Sequence, residues 1–420
     1  MYAMEANVSK YTNAIGSGKQ AITQRQKRKG GRGMREGWEY KKLGEVGIYP
    51  NKRMSLTNIS GQQYVGVETL VKDRGGVAFS EELPNVDTAI EFLENDILIG
   101  NIRPYLKKIW KADRHGASSG DAVNIRIAEN FKGRLDSSFL YKVLSSDSLF
   151  EYDNSNTHGA KMPRGDRKAI AEFKIPIPPL STQQSIVSEL DKINELIRLK
   201  KEQLKDYDNL AQSIFYEMFG DPVVNEKGWD NSTIESVCSS IVRGPFGSAL
   251  KKEFFVEPTN DTYKVYEQKH AIQKNHIIGS YYITKEKFQE LRRFEVFPGD
   301  IIMSCSGTIG EFYQIPKEAE KGVMNQALLK FTLNENRTTT EFFMFLMNFI
   351  KNSFETKGTG LQNIGSVKVI KSTILGLPPL PLQQTFAQRI ELIEKQKAEV
   401  QRTIADLETL LASRMQYWFD

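Results

Sequence analysis

"IPIPPLSTQQSIVSELDKI" occupies Ile175–Ile193, and "ILGLPPLPLQQTFAQRIELI" occupies Ile374–Ile393. Each starts with a short apolar run, turns at Pro-Pro-Leu, places Gln-Gln soon after, and continues into a long charged stretch. Repetition at this distance marks a duplicated unit, and the repeat has to be mapped before any single residue is read. Working outward, Gly37-Trp38-Glu39 matches Gly228-Trp229-Asp230, and "FLENDILIG" (92–100) matches "VFPGDIIMS" (296–304), with Asp96 opposite Asp300. The offset drifts from 191 to 204, then holds at 200 without a gap from Pro178 to about Ser213. Stretches 45–175 and 236–373 absorb insertions, as surface loops of a globular domain can. The segments after Pro-Pro-Leu do not, because one inserted residue rotates the rest of a helix by about 100°.

Those segments carry apolar residues at spacings of three and four, with charged and amide residues between. The first has Ile186, Leu190, Ile193, Ile197, Leu204, Tyr207, Ala211 and Ile214; the second has Ile390, Ile393, Val400, Ile404, Leu407 and Leu411, after Phe386. This is the pattern of a helix with a narrow apolar seam. At roughly 38 residues each, such helices run about 57 Å. So narrow a stripe over such a length suits a second helix better than a sheet, so the two are expected to pair as a coiled coil. The competing reading packs each on its own domain. Ser181 with Gln184 has the spacing of a capping box, Pro381 suits a first helical turn, and Gly220-Asp221-Pro222 stops the first helix. The globular stretches read as mixed α/β with many short strands, among them "QQYVGVETLV", "DILIGNI", "VNIRI", "GSYYITKE", "DIIMSC" and "ALLKFTL". Each ends in a short helix, "DSSFLYKVLSS" or "TTEFFMFLMNFI".

At 420 residues the chain can hold two or three domains. No stretch approaches the roughly 18 apolar residues of a membrane span, and the first residues lack the apolar core of a secretory signal. The expectation is a cytoplasmic protein. Two cysteines and four histidines support neither a disulfide framework nor a zinc site. The net charge of +5 sits unevenly: residues 1–33 hold seven cations against Glu5 alone, a net of +6, which leaves the rest at −1. The basic pI therefore reports a tail, read as disordered, and any claim of nucleic-acid binding for the body must rest on local patches.

A search for catalytic chemistry yields none. "IGSGKQ" (15–20) fails as a phosphate loop because Asn13 and Gln20 stand where glycine and a hydroxyl residue are needed. Asp300 and Glu311 lack the nearby lysine of a nuclease site. There is no Asn-Pro-Pro-Tyr-like run, no His-Glu-x-x-His and no Gly-x-Ser-x-Gly. What the domains do hold is clustered cation and amide. Arg103, Lys107, Lys108, Lys111 and Arg114 form one cluster, and Lys161, Arg164, Arg167 and Lys168 a second. In the other half stand Arg243, Lys251, Lys252, Lys269, Arg292 and Arg293, with Thr359, Gln362 and Asn363 in the polar loop "GTGLQNIG". Lys and Arg neutralise phosphates, and Arg, Gln and Asn read base edges.

Taken together, residues 36–420 resemble the DNA specificity subunit of type I restriction–modification systems. The resemblance is carried by the two Gly-Trp openings, the Gly-Asp-Ile-Ile strand, "GTGLQNIG", and Pro-Pro-Leu-x-x-Gln-Gln before each helix. It implies a target recognition domain over 34–179, a central spacer helix over 180–220, a second recognition domain over 221–379 and a C-terminal spacer helix over 380–420, after the tail at 1–33. It further implies α/β (α+β) domains, an antiparallel coiled coil with a pseudo-two-fold axis, and double-stranded DNA with a bipartite site as ligand. Two modification (methyltransferase) subunits using S-adenosylmethionine and motor-nuclease restriction subunits using ATP and Mg2+ would be the partners, with no cofactor bound by this chain. "NTHGAKMPRG" departs from the glycine-threonine-glycine loop in the first half. The rivals are a stand-alone nuclease or methyltransferase and a coiled-coil scaffold that leaves DNA alone.

Overall fold

The Gly-Trp opening and the Pro-Pro closing of each repeat are structural partners. In a computed structural model, which describes residues 35–57, 59–159, 161–351, 356–357, 363–364 and 367–419, strand Glu39–Lys42 pairs antiparallel with Lys174–Ile177, in the register Glu39↔Ile177. Strand Asp230–Thr233 pairs in the same way with Ile374–Leu377, in the register Asp230↔Leu377. Gly37 and Gly228, at φ +79° and +71°, turn the chain into these strands from the left-handed region that glycine enters without cost. Each repeat is thus clasped by its own first and last strands. The basic tail at 1–33 lies outside the described residues.

Two compact units emerge, one of residues up to Arg198 with those from Ala405, the other Leu199–Ile404. In the first, an antiparallel sheet runs in the order Gly47–Ile48, Ala122–Ile127, Ile97–Gly100, Ile109–Lys111. A mixed sheet follows the order Arg53–Ser55, Thr88–Phe92, Gly116–Ser118, Tyr64–Val65, its last pair parallel. The second unit repeats the antiparallel sheet strand for strand and three strands of the mixed sheet, whose fourth strand lies on the opposite edge. Its antiparallel sheet is ordered Cys238–Arg243, Leu328–Leu333, Ile301–Ser304, Phe312–Gln314, and its mixed sheet Tyr282–Ile283, Tyr263–Tyr266, Gly322–Met324, Glu295–Val296, with the middle pair parallel. Strand density is thinner than the alternation suggested: only Tyr64–Val65 of "QQYVGVETLV" and Tyr282–Ile283 of "GSYYITKE" form strands, with Leu70 in a single bridge to Val77. The aligned aspartates have one task. Asp96 meets Arg126 at 2.7 Å and accepts from the Leu93 amide, while Asp300 meets Lys330 at 3.0 Å and accepts from the Phe297 amide. Both are buried turn clamps.

The two long helices span Leu180–Phe219 and Leu380–Phe419. The first starts one residue before Ser181, with the Pro179 carbonyl accepting from Thr182 and Gln183, so Ser181 is already helical and no capping box forms there. The first glutamine of each Gln-Gln pair is fully buried. Gln183 accepts from the Asp136 amide at 2.8 Å and donates to the carbonyls of Arg134 and Pro178, both at 2.8 Å. Gln383 accepts from the Thr339 amide at 3.1 Å and donates to Arg337 and Pro378 at 3.1 and 2.8 Å. Asp136 and Thr339 are themselves the N-caps of helices Ser137–Leu144 and Thr340–Ile350. One amide therefore ties the cap of the short helix to the root of the long one.

Within the second unit, Asp208 bonds Lys397 at 2.9 Å and Phe219 meets Phe386 at 5.3 Å, so advancing along the central helix means retreating along the C-terminal one. Those segments are antiparallel. Ile186 and Leu190 lie in the first unit's core and Ile390 and Ile393 in the second's. Ile193, Ile197, Val400 and Ile404 are buried, and Leu204 and Leu407 half-buried. Each unit is also closed by aromatic residues from a helix end. Phe219 packs edge-on against Phe342 in the second, and Phe419 against Phe139 in the first. Gly220, at φ +68°, ends the central helix as expected. Among the described residues no helix is long and apolar enough to cross a membrane.

Candidate nucleic-acid interface

In the first unit the expected cations separate into two kinds. Lys107 pairs with Asp147 at 2.6 Å, alongside Arg74; burial alone would raise that carboxyl, but the two cations hold it below its ordinary range. Lys108 donates to the Val67 carbonyl at 2.5 Å and Lys111 to the Ser138 hydroxyl at 2.8 Å. These three hold loops to the body. The others gather elsewhere, because single bridges Ile102↔Arg164 and His158↔Arg164, with the Arg103 amide donating to Pro163 at 2.7 Å, sew the loop after strand Ile97–Gly100 to segment 157–166. Arg103, Lys161 and Lys168 are exposed there, Arg164 pairs with Asp121 at 3.0 Å, and Arg167 donates to the Gly120 carbonyl. Exposed Tyr105 stands beside them.

In the second unit the structure brings Arg243 and Arg293 to the rim of one groove of about 770 Å³, with Phe246, Ser248, Ser306 and Gln326. Among the described residues that line it, none is acidic. Arg243 ends an edge strand of the antiparallel sheet and is steadied by donating from Nε to the Gln326 carbonyl at 3.1 Å. Arg292 is exposed beside Arg293 on a single turn, Arg292–Phe294. Lys251 faces Glu253 at 3.7 Å, Lys252 is exposed, and Lys269 is drawn to Glu267 at 2.6 Å and away from the groove's lining. Thr359 and Gln362 lie outside the described residues; the backbone of Asn363 pairs with Lys357 in a small ribbon. Sequence reading missed Phe246 and Gln326. Gly244-Pro245-Phe246-Gly247 could have revealed the first, since a large ring between turn-forming residues, directly after Arg243, has no core to enter.

Groups of the kind that catalyse are engaged in the fold. Asp300 is held by Lys330 and the Thr332 hydroxyl, and Glu311 by Lys351 at 3.2 Å. Burial pushes the thiols of Cys238 and Cys305 up to about 12. His270, kept below its ordinary value by burial, accepts from the Glu267 amide and faces the Ile278 carbonyl. Among the described residues no three His, Cys, Asp or Glu side chains come together as metal ligands would.

The fold is shared with solved chains. A chain from a type I restriction–modification system, solved in work on complex assembly and conformational transition, superposes with a TM-score of 0.62 at 19% identity, over 93% of this chain and 99% of that one. The type I S subunit from M. genitalium superposes with a TM-score of 0.50 at 13% identity. The model of the type I restriction modification DNA specificity domain matches twice, over residues 35–206 and 226–409, and the chain belongs to that family. Its relatives include the EcoDI specificity subunit of Escherichia coli, 26% identical over 31% of this chain and 29% of that protein, and the MjaIX specificity subunit of Methanocaldococcus jannaschii, 25% identical over 62% of this chain and 63% of that one. The chain thus spans less than two thirds of the length of these relatives.

Proposed function

We propose that this chain is the sequence-reading subunit of a type I restriction–modification complex. Each unit reads one half of a bipartite double-stranded DNA site, and the long helices set the distance between the halves. The chain binds no cofactor itself. It gathers two modification subunits, which draw on S-adenosylmethionine, and restriction subunits, which draw on ATP and Mg2+, in the cytoplasm. The observation that carries this is the repetition of the antiparallel four-stranded sheet, strand for strand, and of three strands of the mixed sheet, each copy clasped by its own terminal strands. Two copies of one reader suit a site in two parts. The acid-free groove with Arg243 and Arg293 supplies phosphate-binding chemistry in one of them.

The test replaces residues 234–373, between the clasping strands, with the corresponding segment of a relative of different target. Methylated motifs mapped in cells carrying the modification subunits should change in one half and keep the other. A change in both halves refutes independent reading. Two further assays separate the rival classes: methyl transfer by the purified chain alone would make it an enzyme, and DNA binding that ignores salt would remove the phosphate-contacting role.

A further inference from the structure

Phe246 is 90% exposed, the most exposed of the large apolar side chains described in the chain. Its loop is built to keep it so. A Cβ on Gly244 would lie 1.8 Å from the Asn325 carbonyl oxygen, so only glycine lets the backbone pass there, and the Gly244 amide donates to Leu328 at 3.0 Å. Pro245 is buried and limits the backbone freedom of the loop. With the two residues before it fixed, the ring projects into solvent. The groove it stands in has two guanidinium residues on its rim, hydroxyls and one amide on its wall, and no acid. An occupant matching that surface is polyanionic outside and flat and apolar inside.

We propose that Phe246 is a wedge that enters the DNA duplex at the half-site read by the second unit and unstacks one base step, with Arg243 and Arg293 on the flanking phosphates. This rests on the reading of the chain as a DNA-recognition subunit. Apolar wedges inserted between base steps kink the duplex and favour easily unstacked steps, which adds sequence preference without a hydrogen bond. The alternatives are a ring lying against a thymine methyl in an undistorted groove, and one that touches no DNA.

The test uses the full chain with its modification subunits and duplexes carrying the site found by methylation mapping. The fluorescent base 2-aminopurine is placed at each position of the second half-site in turn. At saturating protein, fluorescence should rise at one step with the parent chain, rise likewise with Phe246→Trp, and stay low with Phe246→Ala. Any base extruded for methylation reports equally in all three, so the difference between variants isolates the wedge. Phe246→Ala should weaken specific binding about ten-fold and leave binding to unrelated DNA and thermal unfolding unchanged, since the ring touches little of its own fold. The double variant Arg243→Ala/Arg293→Ala should weaken both kinds of binding and flatten their salt dependence. Weaker specific binding with no fluorescence difference would overturn the wedge in favour of a groove contact. Unchanged binding by Phe246→Ala would remove the residue from recognition altogether. Failure of the parent chain to bind any DNA would instead strike the proposed function.

Discussion

Asp153 is 1% exposed, and neither carboxyl oxygen has a hydrogen-bond partner; the Asn101 side-chain oxygen, similarly placed, also faces Gly165. Burial, and then the charge of Asp166, push the Asp153 carboxyl up to about 6. Between its unfolded value near 3.9 and about 6, the folded chain holds a proton that the unfolded chain has released. Stability therefore falls as pH rises through that window and stays lower above it. Ionising a carboxyl raised that far costs the fold about 3 kcal/mol. Asp153→Asn removes the ionisation, so the variant should be the more stable at pH 7.5 by up to that amount, with the gain vanishing below about pH 4. Denaturant melts of both proteins across this range check it, and parallel curves at every pH would refute it. Gln183 and Gln383 supply the opposite case, buried polar groups with every contact made. Replacing either with alanine strands two carbonyls and an amide, at a loss of roughly 2–4 kcal/mol. Glutamate should be worse, because it cannot donate to the two carbonyls. Urea unfolding of the single variants is the measure.

At the scale of elements, the long helices were legible from spacing alone. Their apolar positions recur at three and four, and both run 40 residues against the 38 expected. Periodicity tells which face is apolar, not what covers it. Ile186, Leu190, Ile390 and Ile393 look identical to Ile197 and Val400 in sequence, yet the first four sit in domain cores. The cation clusters show the same limit. Lys107 and Arg103 are near neighbours, but the partner that engages Lys107, Asp147, stands 40 residues away, and no local pattern announces it. The repeated Gln-Gln was visible as a repeat, whereas its work depends on caps some 45 residues upstream. The antiparallel register of the second unit allows one further prediction. Continued along the helices, it sets Lys201 opposite Ile404. Inserting four residues after Lys201 and four at Ile404, in the same three-and-four pattern, adds about 6 Å. DNA advances about 3.4 Å per base pair, so the unspecified spacer of the methylated motif should grow by one or two base pairs while both half-sites persist. Full activity with the original spacer would show that the helices do not measure DNA.

At the scale of the whole molecule, the first unit takes its core from segments far apart in the chain. Trp38 stacks on Trp418 at 6.2 Å, Arg35 covers both rings, and Arg414 holds the Glu189 carboxyl below its ordinary range, with Trp418 donating to the same group at 3.2 Å. Leu411, Met415 and Phe419 pack on the same core. The second unit is contiguous, Leu199–Ile404. During synthesis at about 5–20 residues per second, about 200 residues separate the emergence of Arg198 from that of Phe419, a wait of roughly ten to forty seconds. Throughout it, the surface around Phe139 and Trp38 stands open, and the contiguous unit is complete in the chain at Ile404, before the closing segment follows. The half of the protein made first is therefore the half finished last. Purified chains ending at Ile404 should be protease-sensitive in the first unit and resistant in the second, and equal resistance in both would show that the late segment adds nothing to the early one.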